Sequence, residues 1–197
     1  KTKVEAVPGQ ITSAVSAVES KIPTEIGTVN LLRNSKSFSG ANIIGSGTLL
    51  SETYQDCAVR YLKVNRELAV AEFNNCVYPK LGGKYVASFW AKGNGGLTVF
   101  FHGNSGCLGA AEGLSSEGNV TTRGDGSISF NLTSDWKRYW VKYKMKSEPS
   151  SATNVGKHLL FRTLANGLKN EVYLAGAQLE EGDVVSGYEP APADTAT

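Results

Sequence analysis

Residues 136–145 read Trp-Lys-Arg-Tyr-Trp-Val-Lys-Tyr-Lys-Met, and their parity decides the fold class. Successive side chains of an extended chain point to opposite faces. Tyr139, Val141, Tyr143 and Met145 therefore share one face, while Arg138, Trp140, Lys142 and Lys144 share the other. One face suits a core and the other suits water, as in an antiparallel strand covered on one side.

Working outward from this strand, the same grammar recurs in both directions. Tyr54–Val64, Ala69–Phe73, Tyr85–Lys92, Leu97–His102, Ser127–Leu132, His158–Leu164 and Glu171–Leu179 are rich in β-branched and aromatic residues. Gly82-Gly83, Gly93-Asn94-Gly95-Gly96, Gly124-Asp125-Gly126 and Asn166-Gly167 punctuate them as turns. Strands of this length with no intervening helices predict an all-β fold of two packed antiparallel sheets over residues 30–190. Ser105–Arg123 is Gly-rich and reads as a long rim loop with one short strand. Residues 191–197 read as a disordered tail.

Composition agrees with that fold. The chain has 197 residues, 19% of them charged, with 22 glycines, a balance that favours short strands and tight turns. A formal net charge of +2 is too small to argue for nucleic acid or an anionic membrane as the main partner, and neither is expected. No apolar run approaches the roughly 20 residues that span a bilayer. The start at Lys1-Thr2-Lys3 reads as the C-terminal piece of a longer protein, so the lack of a targeting signal is uninformative. Cys57, Cys76 and Cys107 fit no zinc spacing; three separate buried thiols or a Cys57–Cys76 bridge both remain open.

Residues 1–29 follow a different pattern. Ile11, Val15, Val18 and Ile22 fall at 4-3-4 spacing, and Val4 and Val29 extend the register by seven on each side. This heptad seam predicts a short coiled-coil-like α-helix bounded by Pro8-Gly9 and Pro23. So short a helix must pack on something. It either lies on its own β-domain or joins identical chains, and β-branched residues at both seam positions favour a homotrimer.

Catalysis has little local support. Neither His102 nor His158 neighbours a Ser or Cys in a hydrolase motif, and Glu180-Glu181 reads as a solvated turn before Gly182. The chain is therefore expected not to be an enzyme. Sugar binding asks instead for an aromatic face with polar neighbours. Trp140 with Arg138 and Lys142 meets that description best, set against a lone Trp packing under a loop or a neighbouring chain. Trp90 shares a face with Ser88 and Lys92, opposite Phe89, and either face could be core. His102, before a Gly-Asn-Ser-Gly run, is a candidate rim residue, and Trp136 reads as an edge-of-core residue.

Three further stretches carry a family resemblance. Asn30-Leu31-Leu32-Arg33-Asn34-Ser35 resembles the opening of jelly-roll modules on phage tail fibres and baseplates. Ser88-Phe89-Trp90-Ala91-Lys92-Gly93 with Trp136-Lys137-Arg138-Tyr139 resembles paired strands of galactose-binding-like carbohydrate-binding modules. Ala177-Gln178-Leu179-Glu180-Glu181-Gly182, then Tyr188-Glu189-Pro190, is similar to the closing signature of the phage modules. The resemblance implies a jelly-roll β-sandwich on a virion adhesion device, binding host cell-surface or cell-wall polysaccharide, commonly as a trimer. A purely structural fibre module is the main alternative. A carbohydrate-binding module of a secreted bacterial polysaccharide hydrolase is a third, which the heptad disfavours because such modules more often hang on flexible linkers. The family often holds a structural calcium near the start and end of the domain. No acidic cluster near Asn34–Ser39 marks one here, and no other cofactor is expected.

Overall fold

The computed structural model describes residues 29–39, 43–45, 47–63, 70–73, 80–101, 111–121, 126–146, 159–163 and 171–195. The heptad residues Ile11, Val15, Val18 and Ile22, together with His102, Cys76, Cys107 and His158, lie outside the described residues.

Twelve strands are described: β1 Ile43–Gly45, β2 Thr48–Tyr54, β3 Cys57–Lys63, β4 Val70–Phe73, β5 Lys84–Gly93 and β6 Gly96–Phe100. β7 Ala111–Ser115, β8 Val120–Thr121, β9 Ile128–Asn131, β10 Lys137–Met145, β11 Leu159–Thr163 and β12 Glu171–Glu181 follow. They form two sheets in the orders β1-β4-β11-β6-β9 and β2-β3-β12-β5-β10-β7-β8. Every pairing is antiparallel. Apart from one helical turn, the described residues are all-β, two sheets face to face, as the alternation predicts.

The core between the sheets is aromatic. Tyr85, Phe89, Tyr139 and Tyr143 from the seven-stranded sheet are buried against Phe73, Phe130 and Phe161 from the other. Phe89 sits edge-on to Phe161 at 4.9 Å and to Phe130 at 5.7 Å. Each such ring contributes on the order of 1.5–3 kcal/mol through burial. β10 keeps the expected parity, with Tyr139, Val141, Tyr143 and Met145 inward.

The structure corrects four sequence expectations. The expected strand from Tyr54 is broken at its start: Tyr54 ends β2, and Gln55 and Asp56, with φ of 51° and 57°, reverse the chain into β3. Within Ser105–Arg123, residues 111–115 and 120–121 extend the sheet beyond β10. Glu180 is 1% exposed inside β12, and only Glu181 is solvated. Finally, the expected tail carries a helical turn, Pro192–Thr195, preceded by buried Ala191.

That turn belongs to a clasp joining the two ends of the domain. The Asp194 carboxylate accepts hydrogen bonds from the amides of Asn34 and Lys36 and from the Ser35 hydroxyl. Asn30, 2% exposed, accepts from the Leu32 amide at 3.0 Å and the Leu179 amide at 3.2 Å. Its amide nitrogen reaches the Ser35 hydroxyl and the Glu189 carbonyl, both at 3.0 Å. Gln178 donates to Ser186 and the Gly187 carbonyl and accepts from the Glu189 amide at 2.7 Å. Ser186 in turn donates to Glu180. The opening and closing motifs thus satisfy each other inside the fold, as buried polar groups must.

Candidate functional site

The outward face of the seven-stranded sheet carries the second apolar cluster of the molecule. Its floor is Cys57, Val59 and Ala175, and Tyr54, Trp90, Trp136, Tyr173 and Tyr188 pack against it. Strand register sets the rows. Tyr61, Tyr173 and Lys92 are cross-strand neighbours in one row, and Ala175, Trp90 and Arg138 form the next. Trp140 stands opposite Ser88 one row on, and Lys142 opposite Val86 after that.

A bulge makes these rows possible. In β12, Val172 and Leu174 face the core, and so do Ala177 and Leu179, so the parity changes between them. The register shift lies between Ala175 and Gln178, where Gly176 has φ of 51°. A Cβ at Gly176 would stand 2.5 Å from the Trp90 ring. Glycine there lets the indole lie flat across the strand.

The rings form a band of two contact groups bridged by Lys92. Tyr54 stacks on Trp136 at 4.3 Å and 14°, and meets the edge of Trp90 at 6.0 Å. Trp90 meets Tyr188 at 5.3 Å, and Tyr61 leans on Tyr173 at 4.9 Å. Edge strand β2 walls the band: its register shifts between Leu49 and Thr53, so the Leu50–Glu52 stretch is offset from β3. A groove of about 350 Å³ opens between Leu50, Ser51, Glu52, Lys92 and Tyr173. A second, of about 370 Å³, is lined by Lys36, Gln55, Asp56, Trp90, Tyr188 and Pro190.

Cations sit on the rings. Lys92 Nζ lies 5.1 Å from the Trp136 ring centroid and 5.0 Å from that of Tyr173. The Arg138 guanidinium is 5.1 Å from Trp90 and donates to Ser88 at 2.9 Å, and Lys142 is 5.5 Å from Trp140. Burial lowers the Arg138 pKa, opposed by the charge of Glu180. Burial, then the hydrogen bond to Glu171, pushes the Tyr61 phenol up to about 12. The Cys57 thiol is raised by burial and is free, and Tyr188 beside it is raised as well.

Four of the five sequence-predicted sugar contacts, Arg138, Trp140, Lys142 and Trp90, therefore share one face, and His102 lies outside the described residues. Trp140 is half-buried, its backbone bonded on both sides to Ser116. Phe89 is core and Trp90 is not, which settles the ambiguity of that strand. Sequence reasoning missed Tyr54, Trp136, Tyr61 and Tyr173 as face residues. For Tyr173 the signal was present, since it alternates with core Val172 and Leu174.

Among the described residues no group of three His, Cys, Asp or Glu is placed to hold a metal ion, and no helix is long and apolar enough to cross a membrane.

No family model and no curated protein matches the sequence. Solved structures do resemble it. An arabinose-bound MgGH51 α-L-arabinofuranosidase superimposes with a TM-score of 0.54 at 12% identity, covering 79% of this chain and 27% of that one. The baseplate tripod of bacteriophage Tuc2009 gives 0.47 at 12% identity, covering 85% of this chain and 60% of that one. BiXyn10A CBM1 in its apo form gives 0.49 at 10% identity over 80% of this chain and all of that one. At such identities the likeness is one of fold. The chain spans well under two thirds of the first and 60% of the second.

Proposed function

We propose that this domain is a non-catalytic glycan-binding module of jelly-roll type whose ligand lies along the aromatic band of the seven-stranded sheet. The observation that carries the reading is the band itself. Tyr54 contacts both Trp90 and Trp136 on the outward face, flanked by two grooves with polar rims. Aromatic faces match the apolar C–H patches of pyranose rings, and rim carboxylates, amides and ammonium groups bond the hydroxyls. Trp140 and Lys142 continue the same face and would extend the site.

A glycan array on the full chain tests this, followed by calorimetry with the best ligand. Trp136→Ala is expected to weaken binding by about 1 kcal/mol or more. Trp140→Ala should weaken it if the ligand extends along β10, with little change in melting temperature. Normal binding by both variants would move the site off this face.

The setting we propose is a virion adhesion device, resting on the sequence resemblance and on the upstream heptad. Ile11, Val15, Val18 and Ile22 would then contribute ~1.5–3 kcal/mol each when buried between three chains. Light scattering should report a trimer for the full chain and a smaller species for residues 30–197. A monomer at tens of micromolar would remove the trimer from the proposal.

A second reading, a connector module without a ligand, has one observation in its favour. The residues that carry the phage-module resemblance, Asn30, Gln178 and Glu180, are buried and bond chain segments to one another inside the clasp, which gives them a structural task. An array without a single binding glycan would favour it.

A further inference from the structure

We infer that the glycan taken by this face is negatively charged, its carboxylate or phosphodiester being met by cations already held over the rings. This rests on the glycan-binding reading of the same face. Each of the three tryptophans on this face has a cation at its ring: Lys92 at Trp136, Arg138 at Trp90 and Lys142 at Trp140, all within 5.5 Å. A neutral sugar needs a bare ring face to stack on, so it must first displace a cation from a favourable position. An anionic sugar keeps the cation in place and adds a charge-assisted hydrogen bond to it.

The pattern of ion pairs points the same way. Lys63, Lys84, Lys137 and Lys146 each have an acidic partner, Glu171, Asp183, Glu117 and Glu112 in turn. Among the described residues Lys92, Arg138 and Lys142 are in no such pair. Lys92 is the clearest case: its ammonium is lodged between two rings at the mouth of a groove that also holds Glu52. Carboxylates also face these cations: Glu180 acts on Arg138, Asp183 lies by Lys142, and Glu52 lines the groove of Lys92. None of them closes an ion pair with Lys92, Arg138 or Lys142, so a repeating anion along a polymer would meet these cations at successive rows.

The test uses the full chain and three polymers: polygalacturonate, poly(glycerol phosphate) and neutral β-1,4-galactan. Affinity is measured at low and high salt. At least one polyanion should bind about tenfold more tightly than galactan and weaken steeply with salt. Which of the two does so distinguishes a uronate from a phosphodiester ligand. Lys92→Gln should remove about tenfold of the polyanion affinity and strengthen the weaker galactan binding, because the Trp136 ring is then uncovered, while Lys92→Arg keeps the preference for the polyanion. Galactan bound as tightly as either polyanion, with Trp136→Ala abolishing it, would overturn the charge inference and keep the glycan site. Polyanion binding indifferent to Trp136→Ala would also overturn it, as surface attraction alone. Failure of all three polymers on an array that is otherwise empty would sink the glycan reading itself.

Discussion

Asn30→Ala is expected to destabilise the domain by about 3–5 kcal/mol, from the ~1–3 kcal/mol that each stranded buried polar group costs. The side chain accepts from the Leu32 and Leu179 amides and donates towards Ser35 and the Glu189 carbonyl. Alanine removes all of these and leaves the two amides without a partner beneath a closed surface. Stabilities of single domains are typically ~5–15 kcal/mol, so the loss is a large share of the whole. Urea unfolding followed by circular dichroism reads it directly. Ser35→Ala should cost clearly less, because Asp194 and Asn30 keep backbone or other partners. A loss below about 1 kcal/mol for Asn30→Ala would show that water replaces the side chain and that the clasp does not hold the ends together.

Gly176→Ala should cost about 2–4 kcal/mol and disturb the candidate site at the same time. Its φ of 51° disfavours any L side chain, and the new methyl group would lie 2.5 Å from the Trp90 ring and 3.2 Å from the Cys57 sulfur. Trp90 must tilt off the sheet, which parts it from Arg138, Tyr54 and Tyr188. The expected signature is a lower unfolding midpoint together with altered tryptophan emission and weakened glycan binding. Gly187→Ala is the control, since nothing lies within 4 Å of its Cβ position, and it should stay within about 0.5 kcal/mol of the parent. Unchanged emission in Gly176→Ala would mean that Trp90 does not rest on the bulge.

Both substitutions act where strand parity breaks or where chain ends meet, and those are the places sequence reading reached least. Alternation in β10 was legible because its inward row, Tyr139, Val141, Tyr143 and Met145, is wholly apolar and its outward row carries three cations. The same rule placed Arg138, Trp140 and Lys142 on one face without knowledge of any neighbour. β2 was not legible. It is an edge strand, exposed at five of its seven positions, so burial imposes no period on its sequence. The closing motif pointed to a family, yet its polar residues gave no hint that they are buried, because Gln178 and Glu180 lie on the outward face and are covered there by Ser186, Gly187 and Glu189.

What the sequence determined by itself was therefore the local, periodic part: the all-β class and the wet or dry face of its regular strands. Period-two alternation is a property of one strand alone, so it can be read from one strand alone. Lateral order belonged to the tertiary structure. Only the pairing of β5 with β10 and β12 brings Trp90 beside Arg138 and Ala175, and only the β2–β3 hairpin swings Tyr54 onto Trp136. These contacts join residues 54, 90, 136 and 173, separated by dozens of positions, and no local spacing encodes which strands become neighbours. The aromatic band is a product of that order, set by packing two apolar faces together and by one glycine that shifts β12 out of step.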